Sequence, residues 1–219
     1  ETIYVPGLIS GELGNTNATQ STTREFQLFP IVSANSAIEE TNVDLLDIWT
    51  KNYLVVKSAN DIIDNIDNVG FAPGTKAGML ALAKLHKAMA FGNLIEAFEK
   101  IPIDNVPSPT FADRPTALTA ILALLSSAKS DATGTPLTTE FTGTILAPGF
   151  DLLNTIRAMQ ARYSLAAGAY DNALAFANEV PGTATSQITF APTDPTPFGD
   201  LFHRSKLSGH LSTYTATPE

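Results

Sequence analysis

The stretch RAMQARYSLAAGAYDNAL, residues 157–174, decides the fold class. Apolar residues recur every three or four positions on both sides of Gly168, which is typical of two amphipathic helices joined by a tight turn. Gly168 can adopt the left-handed backbone conformation that such a turn needs. We expect Tyr170 to pack over the turn, and Ala173 is small enough to let the two helices approach closely. The stretch therefore predicts a helix hairpin.

The same apolar period extends upstream and predicts five helical segments within residues 41–182. The first segment begins near Thr41, which can act as an N-cap with Asp44 three residues later. The third segment begins after Asp113 and the fourth after Asp151, because aspartate is a preferred N-cap residue. Since the connections between segments are short, consecutive helices are predicted to be antiparallel neighbours.

The ends of the chain differ from its middle. They are rich in Thr, Asn, Ser, Gly and Pro, and residues 183–219 show no amphipathic period. We therefore predict an all-α fold of antiparallel helix hairpins, in a single domain that spans residues 1–219. The helical body covers about 41–182, and the irregular, extended ends cover 1–40 and 183–219.

Three residues inside the predicted helices carry packing predictions. Gly78 and Gly92 each lower the helix propensity by up to about 1 kcal/mol, so we expect a neighbouring helix to approach closely at these positions. Trp49 is the only tryptophan. An exposed aromatic ring could stack on a sugar, but Trp49 lies on the apolar stripe of the first helix, which favours a place in the core.

Composition and missing motifs exclude several classes of function. With 13 Lys and Arg against 22 Asp and Glu, the formal charge is −9, which argues against a nucleic-acid partner. The chain has no cysteine, which excludes disulfides, zinc–thiolate sites, a thiol nucleophile and a lipid-anchor cysteine among these residues. No phosphate loop, His-Glu-x-x-His or Gly-x-Ser-x-Gly motif occurs, so we predict no enzymatic activity and no cofactor.

Three aspartates, Asp61, Asp64 and Asp67, recur every three residues near the end of the first predicted helix. Carboxylate oxygens are the ligands that hard cations prefer, so a metal site is one interpretation. A solvated polar face is the other interpretation, and we favour it. We expect His86 to be an ordinary helix residue, because the three histidines are too scattered to form a metal cluster.

A longer pattern covers about residues 40–180. It consists of LLDIWTKNY (45–53), SANDII (58–63), AKLHKAMAF (83–91), FEKIPI (98–103) and an Arg-Pro-Thr helix start at 114–116. In order and spacing it resembles the N-terminal helical portion of the SusD/RagB family, and the turn at 168–173 resembles a tetratricopeptide unit. The residues that carry the resemblance are Trp49, Asn60, Lys87, Pro102, Arg114, Gly168, Tyr170 and Ala173, with Lys87 where the family usually has arginine.

Members of that family are helical outer-membrane lipoproteins that capture glycans or peptides for an outer-membrane transporter. The resemblance implies an exported, non-enzymatic binding protein at the outer-membrane surface or outside the cell. Its ligand would be a glycan or oligopeptide, and its partner would be the transporter. The alternative is a structural scaffold that self-assembles or docks a protein partner through its helix faces and extended ends.

Aromatic residues outside the helical stripes are the candidates for ligand or partner contact. Lectin-like sites stack sugars on exposed aromatic rings, and an aromatic residue that is not used in a helix core is available for such a contact. The candidates are Phe26, Phe29, Phe111, Phe198, Phe202 and Tyr214.

Overall fold

The computed structural model describes residues 42–104 and 106–186, together with the backbone of two short strands at residues 13–15 and 214–216. Backbone contacts divide the chain into two compact units, one formed by residues 1–50 and 189–219 and the other by residues 51–188. Because most of the first unit lies outside the described residues, the single domain expected from the sequence stays a prediction.

The described elements are mostly helical, which confirms the predicted all-α class of antiparallel helices. A 3-10 turn covers Ile66–Asn68, and a π-helical turn covers Phe141–Ile145. In chain order the elements are β1 (Leu13–Asn15), α1 (Val43–Asn65), α2 (Pro73–Ala97), β2 (Lys100–Pro102), β3 (Phe111–Asp113), α3 (Arg114–Gly134), α4 (Leu152–Ala166), α5 (Tyr170–Asn178) and β4 (Tyr214–Ala216).

Side-chain caps fix the start of three helices. The carboxylate of Asp113 accepts the Thr116 N–H at 3.1 Å, and that of Asp151 accepts the Asn154 N–H at 3.0 Å, so both predicted caps are confirmed. For α1 the prediction is wrong. The helix begins at Val43, and its cap is Asn42, whose amide oxygen accepts the N–H of Asp44 at 3.0 Å. Thr41 lies outside the described residues.

The core of the second unit lies where α2 packs on α3 and α3 packs on α4. Leucine and isoleucine side chains from all three helices have no exposed surface at all, and each contributes about 1.5–3 kcal/mol through burial. These fully buried residues are Leu85, Leu94, Ile121, Leu125 and Ile156.

Glycine allows the close approach that the sequence predicted for α2. A Cβ atom on Gly92 would overlap the Tyr163 side chain of α4, and one on Gly78 would overlap the Phe141 ring of the π-helical turn. The hairpin of α4 and α5 turns at Gly168, whose φ of 74° is the predicted left-handed conformation. Ala173 is buried against α4 as expected. Tyr170, however, is 69% exposed, contrary to the expected packing over the turn.

Two short antiparallel ribbons were not predicted. In the first unit, β1 pairs with β4, with Leu13 opposite Ala216 and Asn15 opposite Tyr214. In the second unit, β2 pairs with β3, immediately after α2 and before α3. The first ribbon agrees with the extended ends expected from the sequence, and the second contributes to the candidate site.

Candidate functional site

The β2–β3 ribbon has one buried and one exposed face. Side chains alternate along a strand, and Ile101 and Ala112, which are opposite each other, are buried against the helices. The other face therefore carries two cross-strand pairs. Lys100 is opposite Asp113, and Pro102 is opposite Phe111. Phe111 is 54% exposed on this face.

A pocket of about 400 Å³ lies on this ribbon, and we refer to it as the ribbon site. It combines one aromatic ring with hydroxyl, carboxylate and ammonium groups, so it offers an apolar surface beside hydrogen-bond donors and acceptors. Its volume falls in the range of small-molecule sites. The lining residues are Lys100, Ile103, Asp104, Thr110, Phe111, Ala112, Asp113 and Thr116.

One hydrogen bond joins β2 to α1, and another joins the start of α3, directly after β3, to α2. The Tyr53 hydroxyl of α1 donates to the Pro102 carbonyl at 2.8 Å, and burial raises the pKa of Tyr53, which keeps the hydroxyl protonated. The Arg114 guanidinium, at the start of α3, donates to the Ile95 carbonyl at 3.0 Å. Pro102 of the resemblance motif thus attaches β2 to α1, and Arg114 attaches α3 to α2.

The described lining of the ribbon site carries more acidic than basic side chains. Lys100 is the one basic side chain among the described residues of its lining, and Asp104 and Asp113 are acidic. Hydrogen bonds with Thr116 hold the pKa of Asp113 below its ordinary value, and the nearby charge of Lys100 lowers it further. Asp113 is therefore ionised at neutral pH, and the carboxylates outnumber the ammonium group.

A second concavity, the apolar groove, lies between α1 and α2 and has a volume of about 440 Å³. His86 is the only titratable side chain in its described lining. Burial lowers the pKa of His86, so its ring, which stacks on Phe150 at a centroid distance of 6.4 Å, is neutral at neutral pH. The lining residues are Leu54, Val55, Ser58, Ala59, Ile62, Met79, Leu82, Ala83, His86 and Ile145.

One of the six aromatic candidates lies in a described pocket, namely Phe111 in the ribbon site. Tyr214 is in β4, but its side chain lies outside the described part of the structure. The remaining four candidates, Phe26, Phe29, Phe198 and Phe202, also lie outside the described residues.

Sequence reasoning missed the residues around Phe111 in the ribbon site. Lys100 and Asp104 precede Phe111 in a segment rich in proline, which carries no periodic signal. The Arg-Pro helix start after Asp113 was the available signal, since a residue just before a helix start often lies at the surface. It did not indicate that β2 would pair with β3.

Three further residues of the resemblance motif, Trp49, Asn60 and Lys87, lie in α1 and α2. Asn60 is buried, and the Lys87 ammonium lies over the Phe91 ring, 5.8 Å from its centroid. Trp49 is half-buried in α1, so only part of its ring belongs to a core. None of these three residues lines either described pocket.

The three aspartates of the alternative metal site do not converge. Asp61 pairs with Lys57 at 3.6 Å, and Asp67 pairs with Lys76 at 3.8 Å. Within 42–104 and 106–186, no group of three or more histidine or carboxylate side chains could hold a metal ion. In the same part of the chain, no helix is both long and apolar enough to cross a membrane.

Two proteins of known structure share the fold of this chain. A laminarin-binding SusD-like protein superposes with a TM-score of 0.62 and 20% identity, over 85% of this chain and 40% of its own length. A SusD-like protein from Bacteroides fragilis superposes with a TM-score of 0.60 and 15% identity, over 81% of this chain and 34% of its own length. The chain has a SusD-like fold.

The resemblance found in the sequence is therefore confirmed for the fold. The chain spans less than half the length of either of these SusD-like proteins. No family model and no curated protein matches the sequence.

Proposed function

We propose that this chain is a non-enzymatic binding protein of the SusD type that captures glycans at the outer-membrane surface for uptake by a transporter. The observation that carries the proposal is the SusD-like fold, shared over 85% of the chain with a protein that binds laminarin. The ribbon site supports it, because an exposed aromatic ring beside hydroxyl and carboxylate groups suits the apolar faces and the hydroxyl rim of a sugar.

A combined glycan and peptide array with the full chain tests this function. We expect binding to neutral glucans, including laminarin. Binding to peptides alone would contradict a glycan ligand and would favour oligopeptide capture instead. Binding to no glycan and no peptide above background would contradict the proposed capture function.

The apolar groove favours a second candidate function, self-association of two copies of the chain. Leu54 and Val55 expose 58% and 40% of their surface at this groove. With a net charge of −9, copies of the chain repel each other, whereas a groove lined by uncharged apolar residues is compatible with its own copy.

Sedimentation velocity over a wide concentration range tests this second function. We expect a dimer that Leu54→Glu disrupts. Leu174→Glu is the matched control, because Leu174 is 62% exposed on α5, outside the lining of the groove. A monomer at every concentration, or equal disruption by both variants, would contradict self-association through the groove.

A further inference from the structure

We infer that the ribbon site is a subsite for a neutral sugar ring that stacks on Phe111 while the surrounding polar groups bind its hydroxyls. This inference rests on the proposed glycan-binding function and names the site and the ligand class. It is drawn from the lining of this pocket, which combines one aromatic ring with several polar side chains.

The lining of the ribbon site contains the kinds of group that bind a sugar. Phe111 is at one end of the ribbon, where Asp104 and Thr110 also line the pocket, and Lys100 and Asp113 form the cross-strand pair at the other end. A sugar ring presents C–H groups on its faces and hydroxyls around its edge. Ammonium groups donate, carboxylates accept and threonine does both, so each sugar hydroxyl finds a partner of suitable kind.

The ribbon holds this arrangement before a ligand arrives. Ile101 and Ala112 anchor its inner face, and the Tyr53 hydroxyl bonds the Pro102 carbonyl, opposite Phe111 in the pair. A platform fixed in this way loses little conformational entropy when it binds. The ring of Phe111 is therefore presented at a defined position, with 54% of the residue exposed.

The charges at the ribbon site favour neutral glycans over anionic ones. Asp104 and Asp113 face a single Lys100 in the lining, and the whole chain carries a net charge of −9. Carboxylated or sulfated sugars would meet repulsion both locally and at long range. A neutral glycan meets no such penalty, and its hydroxyls can donate to both carboxylates.

Calorimetric titration of the full chain with laminarin tests the stacking contact. We expect Phe111→Ala and Phe111→Leu to weaken binding by about tenfold, because leucine keeps the apolar bulk but lacks the aromatic face. Phe111→Tyr keeps the ring and should bind within about twofold of the unchanged chain. Tyr170→Ala is the matched control, since Tyr170 is an aromatic residue 69% exposed on α5. It should bind as the unchanged chain does.

The outcomes separate this inference from the function on which it rests. If the unchanged chain binds laminarin and the Phe111 variants bind equally well, the subsite is elsewhere and glycan binding stands. If the unchanged chain binds neither laminarin nor any neutral glycan on the array, both the function and the subsite are wrong. Melting temperatures of the leucine and tyrosine variants show whether each is folded, so a folding defect of Phe111→Ala does not decide the result.

Carboxymethylated laminarin tests the charge selection on the same glycan backbone. We expect it to bind at least about tenfold more weakly than laminarin. Asp104→Lys gives the lining more positive than negative side chains and should recover much of that loss. Equal affinity of the unchanged chain for both polymers would overturn the inference that the subsite selects neutral sugars, as would an Asp104→Lys variant that discriminates just as strongly.

Discussion

The two faces of α2 differ in how they are packed. On one face, α2 lies close to α3 and the side chains between them, such as Leu85 and Leu125, are fully buried. On the other face, α2 borders the apolar groove, and Leu54 of α1 stays 58% exposed. Both faces are apolar, so hydrophobicity alone does not determine which face is packed. Burial of an apolar face of α2 therefore depends on whether a neighbouring helix covers it.

The largest expected contrast comes from truncating a leucine on each face. Leu125→Ala leaves a cavity in a closed core and should lower the free energy of unfolding by about 3 kcal/mol. Leu54→Ala should lower it by less than about 1 kcal/mol, because little apolar surface is lost from an exposed residue. Urea denaturation of both variants measures the contrast. Equal losses would mean that the two faces are packed alike.

A smaller effect is expected where α2 meets α4. The Cβ atom of Gly92→Ala would overlap Tyr163, and the strain should lower the free energy of unfolding by about 2 kcal/mol despite the better helix propensity of alanine. Gly134→Ala is the control, because its added Cβ would meet no atom of a neighbouring element within 4 Å.

Thermal melting monitored by circular dichroism compares the two glycine variants. The control should be neutral or stabilised by up to about 1 kcal/mol. If both variants melt at the same temperature, Gly92 is not a point of close contact and the account of the packed face is wrong.

The smallest expected effect is a pH dependence at the groove. Burial lowers the pKa of His86 below its ordinary value of 6.5, so the unfolded chain binds a proton that the folded chain does not. The contribution of His86 to stability is therefore lost as the pH falls below about 6.5 towards the folded-state pKa. It is fully present at neutral pH.

His86→Gln removes this titration and serves as the reference for all other ionisable groups. We expect the free energy of unfolding of the unchanged chain to fall more steeply than that of the variant between neutral and mildly acidic pH. Parallel curves for the two proteins would show that His86 is as well solvated in the folded chain as in the unfolded one.

Much of the helical fold could be predicted from the sequence because its signals are local. The caps at Asp113 and Asp151 and the turn at Gly168 each depend on residues within one helical turn. The cap of α1 was misplaced by one residue, because Thr41 and Asn42 are both good caps and only the geometry distinguishes them.

The candidate site could be predicted only in part. Phe111 was identified as an aromatic residue outside the helical stripes, which is a property of the sequence alone. Its neighbours Lys100 and Asp104 were not, because the three-residue strands are too short to show alternation, and their pairing depends on a contact between distant segments. The groove was missed because apolar residues on α1 predict burial whether or not a neighbour covers them.

The measurement that tests the central claim most directly is the migration of the full chain in native gels cast with and without laminarin. We predict that laminarin retards the unchanged chain and the Tyr170→Ala variant, and that Phe111→Ala migrates as it does in the gel without glycan. Unchanged migration of all three proteins would contradict laminarin binding, and equal retardation of all three would contradict binding at the ribbon site.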